Sequence, residues 1–119
     1  MELKEAVRTV LVEKYSDFNG RARRSEYWYW TLFNVVVALI ASAIASVLKA
    51  PVLASIWSIA VLIPSLAVCI RRLHDIGKSG WYYLFILIPI VGLVLLLVWF
   101  TRDSQPGSNQ YGENPKGIN

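Results

Sequence analysis

The chain has 119 residues, 55% of them hydrophobic and only 17% charged. A soluble domain is about 45–50% apolar and about 25% charged, so one domain of this length cannot wrap so much apolar sequence in a polar shell, and lipid is the expected solvent. The net charge of +4 and pI near 9.4 would suggest nucleic acid in a soluble protein, but the basic residues flank apolar runs. Anionic lipid headgroups are therefore the nearer partner, and no nucleic acid is expected. A single cysteine and a single histidine exclude an internal disulfide and the usual zinc sites. No metal or cofactor is expected, and Cys69 is read as an inert buried thiol.

Residues 2–14 have helical periodicity, with Leu3, Ala6, Val7, Val10 and Leu11 on one face. The expectation is a short amphipathic helix on the bilayer surface, or one packed on the protein's own loops. Asp17, Asn19 and Gly20 give a turn, followed by Arg21, Arg23 and Arg24, with Ser25 as a candidate N-cap. The acids before the first apolar run, and its distance from the start, argue against a cleaved leader.

Three stretches lack any charge: Tyr27–Leu48, Ala50–Ile70 and Ser79–Thr101. Each reaches the roughly twenty residues that cross a hydrocarbon core about 30 Å thick. Tyr27, Trp28, Tyr29 and Trp30 suit the headgroup level. Small residues recur every four positions at Ala38, Ser42 and Ser46, a spacing that allows close helix approach. Lys49 and Pro51 mark a tight turn, and Pro64 predicts a kink in the second run. Pro89 and Gly92 interrupt the third, which is read as a kinked crossing. A re-entrant hairpin is the alternative, since neither half could cross alone. The tail from Arg102 is rich in Gly, Pro, Asn, Ser and Gln and by itself reads as disordered.

Between the second and third runs lies Arg71-Arg-Leu-His-Asp-Ile-Gly-Lys-Ser-Gly-Trp81. Gly77-Lys78-Ser79 is not a phosphate loop, because Arg72 stands where that motif needs glycine and no strand precedes it. His74-Asp75 has the composition of an acid–base pair, but no nucleophile or metal constellation accompanies it. With three crossings, nine basic residues fall on the N-terminal side against three on the other. The N-terminus is then cytoplasmic and the C-terminus periplasmic, unless the third run is a hairpin that returns the tail.

The block Phe18-Asn-Gly-Arg21-Ala-Arg-Arg24-Ser-Glu26-Tyr-Trp-Tyr-Trp30, the Arg71–Trp81 block and Asn109-Gln-Tyr-Gly112-Glu-Asn-Pro115 together resemble the bacterial domain-of-unknown-function 805 family, the YhaH-like inner membrane proteins. The resemblance implies a multi-pass protein of the bacterial inner (plasma) membrane and no particular activity. It also implies a role for the closing block.

The reading is an all-α membrane protein in which three transmembrane helices follow a short amphipathic surface helix. It forms one membrane domain over 1–119. Residues 1–26 are the cytoplasmic helix and basic turn, 27–48, 50–70 and 79–101 the transmembrane helices, and 102–119 the polar tail. The expected role is non-enzymatic, with no catalytic residues: binding anionic lipid headgroups or a membrane partner through Arg21, Arg23, Arg24, Glu26, Arg71, Arg72, His74, Asp75 and Lys78. A homo-oligomer or a membrane protein partner fits the same surface. The alternatives are a transporter or channel subunit, and a membrane enzyme acting on a lipid or phosphate group. Glu26 stands where water is scarce and is expected to pair with Arg71 or Arg72.

Overall fold

The computed structural model describes residues 2–115, so residues 116–119 of the expected polar tail lie outside the described residues. Helix α1, Leu3–Arg8, runs directly into a π-helical turn over Thr9–Glu13. Helix α2 covers Arg24–Val47, α3 Val52–Ala60 and α4 Leu62–Asp75. A 3-10 helix over Gly80–Leu87 and helix α5 over Val91–Thr101 complete the chain.

The 24 residues of α2 extend about 36 Å at 1.5 Å per residue, enough to span a bilayer. Only 11% of its most apolar stretch is buried. A soluble core helix would be mostly covered, so α2 is a lipid-facing helix, and Leu39 and Ile40 on it are exposed. It begins one residue before the expected cap: Ser25 lies inside the helix, and its hydroxyl accepts from Arg23 Nε at 2.9 Å.

A tight turn reverses the chain after α2. Ala50 N–H donates to the Ala45 carbonyl at 2.8 Å and Lys49 N–H to that of Ser46 at 3.3 Å, with Lys49 at φ 53°. This pairing closes a helix through a left-handed residue, a position that glycine usually fills. Helix α3 then packs back along α2. Trp57 Nε1 donates to Asn34 Oδ1 at 2.8 Å, and Trp30 Nε1 to Ser65 Oγ at 3.3 Å. These bonds satisfy the polar atoms that an apolar medium leaves without water.

The expected kink of the second run falls at Val61, where α3 and α4 meet at 40°. The cause is Pro64: it has no N–H for the Ala60 carbonyl, and its ring crowds that oxygen. The Tyr15 hydroxyl donates to the freed carbonyl. The N-terminal helix is therefore held on the protein itself. Ala6 is buried, and Val10 sits in a cluster with Ala22, Trp30, Val61 and Val68.

The third run departs from its expected form. Residues 79–101 are not one transmembrane helix. Ile90 adopts φ 64°, and the 3-10 helix and α5 fold against each other. Trp99 meets Tyr82 and Phe85 edge-on, with ring centroids 5.7 and 5.6 Å apart. At Gly92 a Cβ would lie 1.6 Å from the Phe85 carbonyl oxygen, so only glycine permits this approach. Pro89 and Gly92 thus make a hairpin rather than a kink. The 11 residues of α5 rise only about 16 Å, half of a bilayer core. The hairpin returns the tail to the end of the molecule that holds Arg21 and Asp75, not to the opposite end.

Candidate functional site

The end where residues 18–26, 71–81 and 101–114 converge holds all nine residues singled out above. The structure divides them. Arg21, Glu26, Arg71, Arg72, His74 and Asp75 are buried, Arg23 and Lys78 are partly covered, and Arg24 is exposed.

Two ion-pair groups occupy the interior. Glu26 pairs with Arg71, and not with Arg72. Asp75, wholly buried, accepts from Arg21 Nε at 2.9 Å, from Arg72 Nη1 at 2.8 Å and from Ser104 Oγ at 2.6 Å. The two carboxylates are thus occupied by guanidinium and hydroxyl donors, as buried charges must be. His74 and Asp75 do not form an acid–base pair. The histidine Nδ1 faces the Gly20 carbonyl at 2.9 Å, and its ring stacks on Tyr111 with centroids 3.8 Å apart.

Arg21 is the hub of this end. Beyond Asp75 Oδ1, its guanidinium donates to the carbonyls of Gly107 at 2.8 Å, Gln105 at 2.6 Å and Asp75 at 3.1 Å. Gln105 N–H returns a bond to the Asp75 carbonyl at 2.8 Å, and Asn109 Nδ2 donates to that of His74 at 2.9 Å. The tail over 104–114 is therefore built into the fold, contrary to the disordered reading of its composition. Gly77, at φ +81°, lets the central loop meet it: a Cβ there would lie 2.6 Å from Gln105 Oε1.

The last turn of α5 ends in this network. Trp28 Nε1 donates to the Phe100 carbonyl at 3.0 Å, Arg72 Nε to the same oxygen at 3.2 Å, and Arg24 Nη1 to that of Thr101 at 3.2 Å. These donors satisfy carbonyls that have no partner within the helix, and the two cations complement its negative end. Lys78 Nζ lies over the rings of Tyr82 and Trp99, 5.1 and 4.9 Å from their centroids, so its charge is engaged on the hairpin.

Outside the buried network runs a rim. A cavity of about 400 Å³ is lined by Arg24, Ser25, Trp28, Tyr29 and Thr101. A second, of about 260 Å³, is bounded by Arg23, Arg24, Ser25 and Asp103. Arg24 and Ser25 are common to both, so guanidinium groups stand next to indole and phenol rings. The sequence pattern grouped Arg21 with Arg23 and Arg24. The missed functional distinction is that Arg21 points inward, and the acid it needs, Asp75, lies 54 residues away.

A long lipid-facing helix, a bent second helix and a polar end locked by buried ion pairs define a small integral membrane protein. The chain belongs to the family described as "protein of unknown function (DUF805)", whose model matches residues 15–113. The inner membrane protein YhaI of Escherichia coli is 42% identical over 108 residues, covering 89% of this chain and 92% of the relative. The inner membrane protein YhaH of the same organism is 35% identical over 112 residues, covering 89% and 93%. No solved structure matches. Kinship and apolar helices together place the chain among bacterial inner-membrane proteins.

Proposed function

We propose that this protein is a non-enzymatic membrane component whose cytoplasmic end binds anionic lipid headgroups through Arg23 and Arg24. The observation that carries the reading is the rim cavity, with Arg24 and Ser25 above Trp28 and Tyr29. A phosphate can take the Nη groups of Arg23, whose Nε bonds Ser25, and can displace Asp103, 3.7 Å away, from Arg24 Nη2, while interfacial aromatic rings flank the upper acyl chain. The buried members of the cluster hold the rim in place and do not reach a lipid.

The hairpin supports an orientation. With residues 18–26, the central loop and the tail at one end, that end holds Arg21, Arg23, Arg24, Arg71, Arg72 and Lys78, while the turn at the other end holds Lys49. The positive-inside rule then makes both termini cytoplasmic. The chain crosses twice, through α2 and the bent α3–α4 pair, and the third apolar run dips in and returns.

Each basic residue near the surface, exposed like Arg24 or partly covered like Arg23, gains about 1 kcal/mol from an anionic leaflet. Replacing Arg23 and Arg24 together by glutamine should therefore remove about 2 kcal/mol, roughly a thirtyfold loss of affinity for anionic lipid. Retention of phosphatidylglycerol in mass spectra of the intact protein measures this directly. Equal retention by variant and parent at low salt overturns the reading.

A further inference from the structure

At the polar end lies a different cavity, of about 310 Å³, lined by Phe18, Ile70, His74, Ser79, Gly80 and Trp81 and sharing no lining residue with the Arg24 cavity. We propose that it binds an amphiphile whose headgroup carries an O–H or N–H donor, with the Nε2 atom of His74 as acceptor.

The tautomer is set by the other nitrogen. Nδ1 of His74 lies 2.9 Å from the Gly20 carbonyl oxygen, which can only accept, so Nδ1 carries a proton. In the neutral ring Nε2 is then a bare acceptor. Among the described residues no group donates to it, although the residue is only 8% exposed. The ring cannot swing to find a partner, because Tyr111 is stacked on its face with an interplanar angle of 2°. Gly20 reaches its position at φ +83°, a conformation that suits glycine. His74 thus lines the cavity with a ring held by two contacts, and its Nε2 has no donor among the described residues.

The other walls define the ligand. Phe18, Ile70 and the exposed Trp81 supply apolar surface for a chain or glycerol backbone. The Ser79 hydroxyl oxygen accepts from Trp81 N–H at 3.3 Å, so its proton is free to donate, for instance to a phosphate oxygen beside the headgroup donor. No acid, lysine or arginine is among the lining residues, and the neighbouring Lys78 is engaged over Tyr82 and Trp99. The cavity therefore selects for a donor and an acceptor rather than for net negative charge. A phospholipid with an ammonium or hydroxyl headgroup meets both requirements. This inference rests on the polar end lying at headgroup level, as proposed above, but not on the Arg23–Arg24 rim.

His74 is the only histidine, so protein labelled with ¹⁵N in histidine gives the signals of one imidazole. The unaltered protein is placed in four bilayers with ¹³C in the headgroup alone: phosphatidylethanolamine (donor, no net charge), phosphatidylglycerol (donor and charge), phosphatidylmethanol (charge, no donor) and phosphatidylcholine (neither). Solid-state dipolar dephasing then reports whether headgroup carbon sits beside Nε2, a contact that water cannot imitate. The expected result is loss of Nε2 signal with ethanolamine, glycerol or both, and none with methanol or choline. Ethanolamine alone would assign an ammonium ligand, and glycerol alone a hydroxyl. No dephasing by either, or equal dephasing by choline, overturns the proposal. Retention of phosphatidylmethanol tests the arginine rim separately, so failure of one site is distinguishable from failure of the other.

Discussion

Replacing Asp75 by asparagine tests the centre of the polar end. The carboxylate is wholly buried and accepts from Arg21, Arg72 and Ser104 at 2.9, 2.8 and 2.6 Å. Asparagine keeps the shape and one acceptor oxygen but removes the charge, and it turns an NH₂ group toward cations that can only donate. Stranding a buried charge in this way costs about 3–5 kcal/mol. Arg21 keeps its tail carbonyls and Arg72 keeps that of Phe100, so the lower end, about 3 kcal/mol, is expected. Unfolding in mixed micelles measures the global cost. Hydrogen exchange at Gln105 measures the local one, because its N–H bonds the Asp75 carbonyl and should exchange faster as the tail loosens. Glu13→Gln is the control: its partner Arg8 is 3.5 Å away and both side chains are exposed, so it should cost no more than about 1 kcal/mol. An Asp75→Asn cost no larger than that of the control, with unchanged exchange at Gln105, would refute the reasoning.

The ion pair of Glu26 and Arg71 predicts non-additivity: Glu26→Gln and Arg71→Gln should couple by more than about 0.5 kcal/mol in a double-mutant cycle, while Glu26→Gln with Arg72→Gln should be closer to additive. For topology, cysteines at Ser16 and Ser108 in a Cys69→Ser background should both resist a membrane-impermeant maleimide added outside, and one at Leu48 should react; reaction at Ser108 rejects the hairpin orientation. Lys49→Gly should raise stability by about 1 kcal/mol, because the left-handed conformation at φ 53° is costly for a side chain, and unchanged or lower stability would count against a left-handed residue at this turn. Gly77→Ala should lower stability by about 1 kcal/mol or more through the same strain, with Gln105→Ala relieving only the steric part.

Much of this architecture was legible because it depends on local composition. The uncharged run after Glu26 gives α2 to within a few residues, Lys49–Pro51 gives the turn, and Pro64 gives a break three residues upstream, where the lost hydrogen bond would have closed. The hairpin was harder to read. Its 23 uncharged residues have the length of a crossing, and Pro89 with Gly92 fits a kink as well as a reversal. What decides between them is the packing of Trp99 on Tyr82 and Phe85, a contact between two halves of one run that periodicity does not encode. The fate of the arginines was likewise hidden. Arg21 and Arg24 look equivalent in sequence, yet one is consumed by Asp75 and by tail carbonyls while the other lines a cavity. The tail's polar composition suggested disorder because many of its bonds run through backbone carbonyls, its own and those of His74 and Asp75, which carry no residue signature. Only the match of its closing block to the family hinted that it was ordered.

The turn after α2 has a bearing on how the protein enters the membrane. In the proposed orientation, the hydrophilic piece between α2 and α3 that must pass through the bilayer is Lys49, Ala50 and Pro51, a single charge on a loop of minimal length. The α2 and α3–α4 helices can then insert together as one preformed pair, already joined by the Trp57–Asn34 bond. No polar domain separates the two helices, and in the proposed orientation the ion-paired face is assembled on the side where the chain is made.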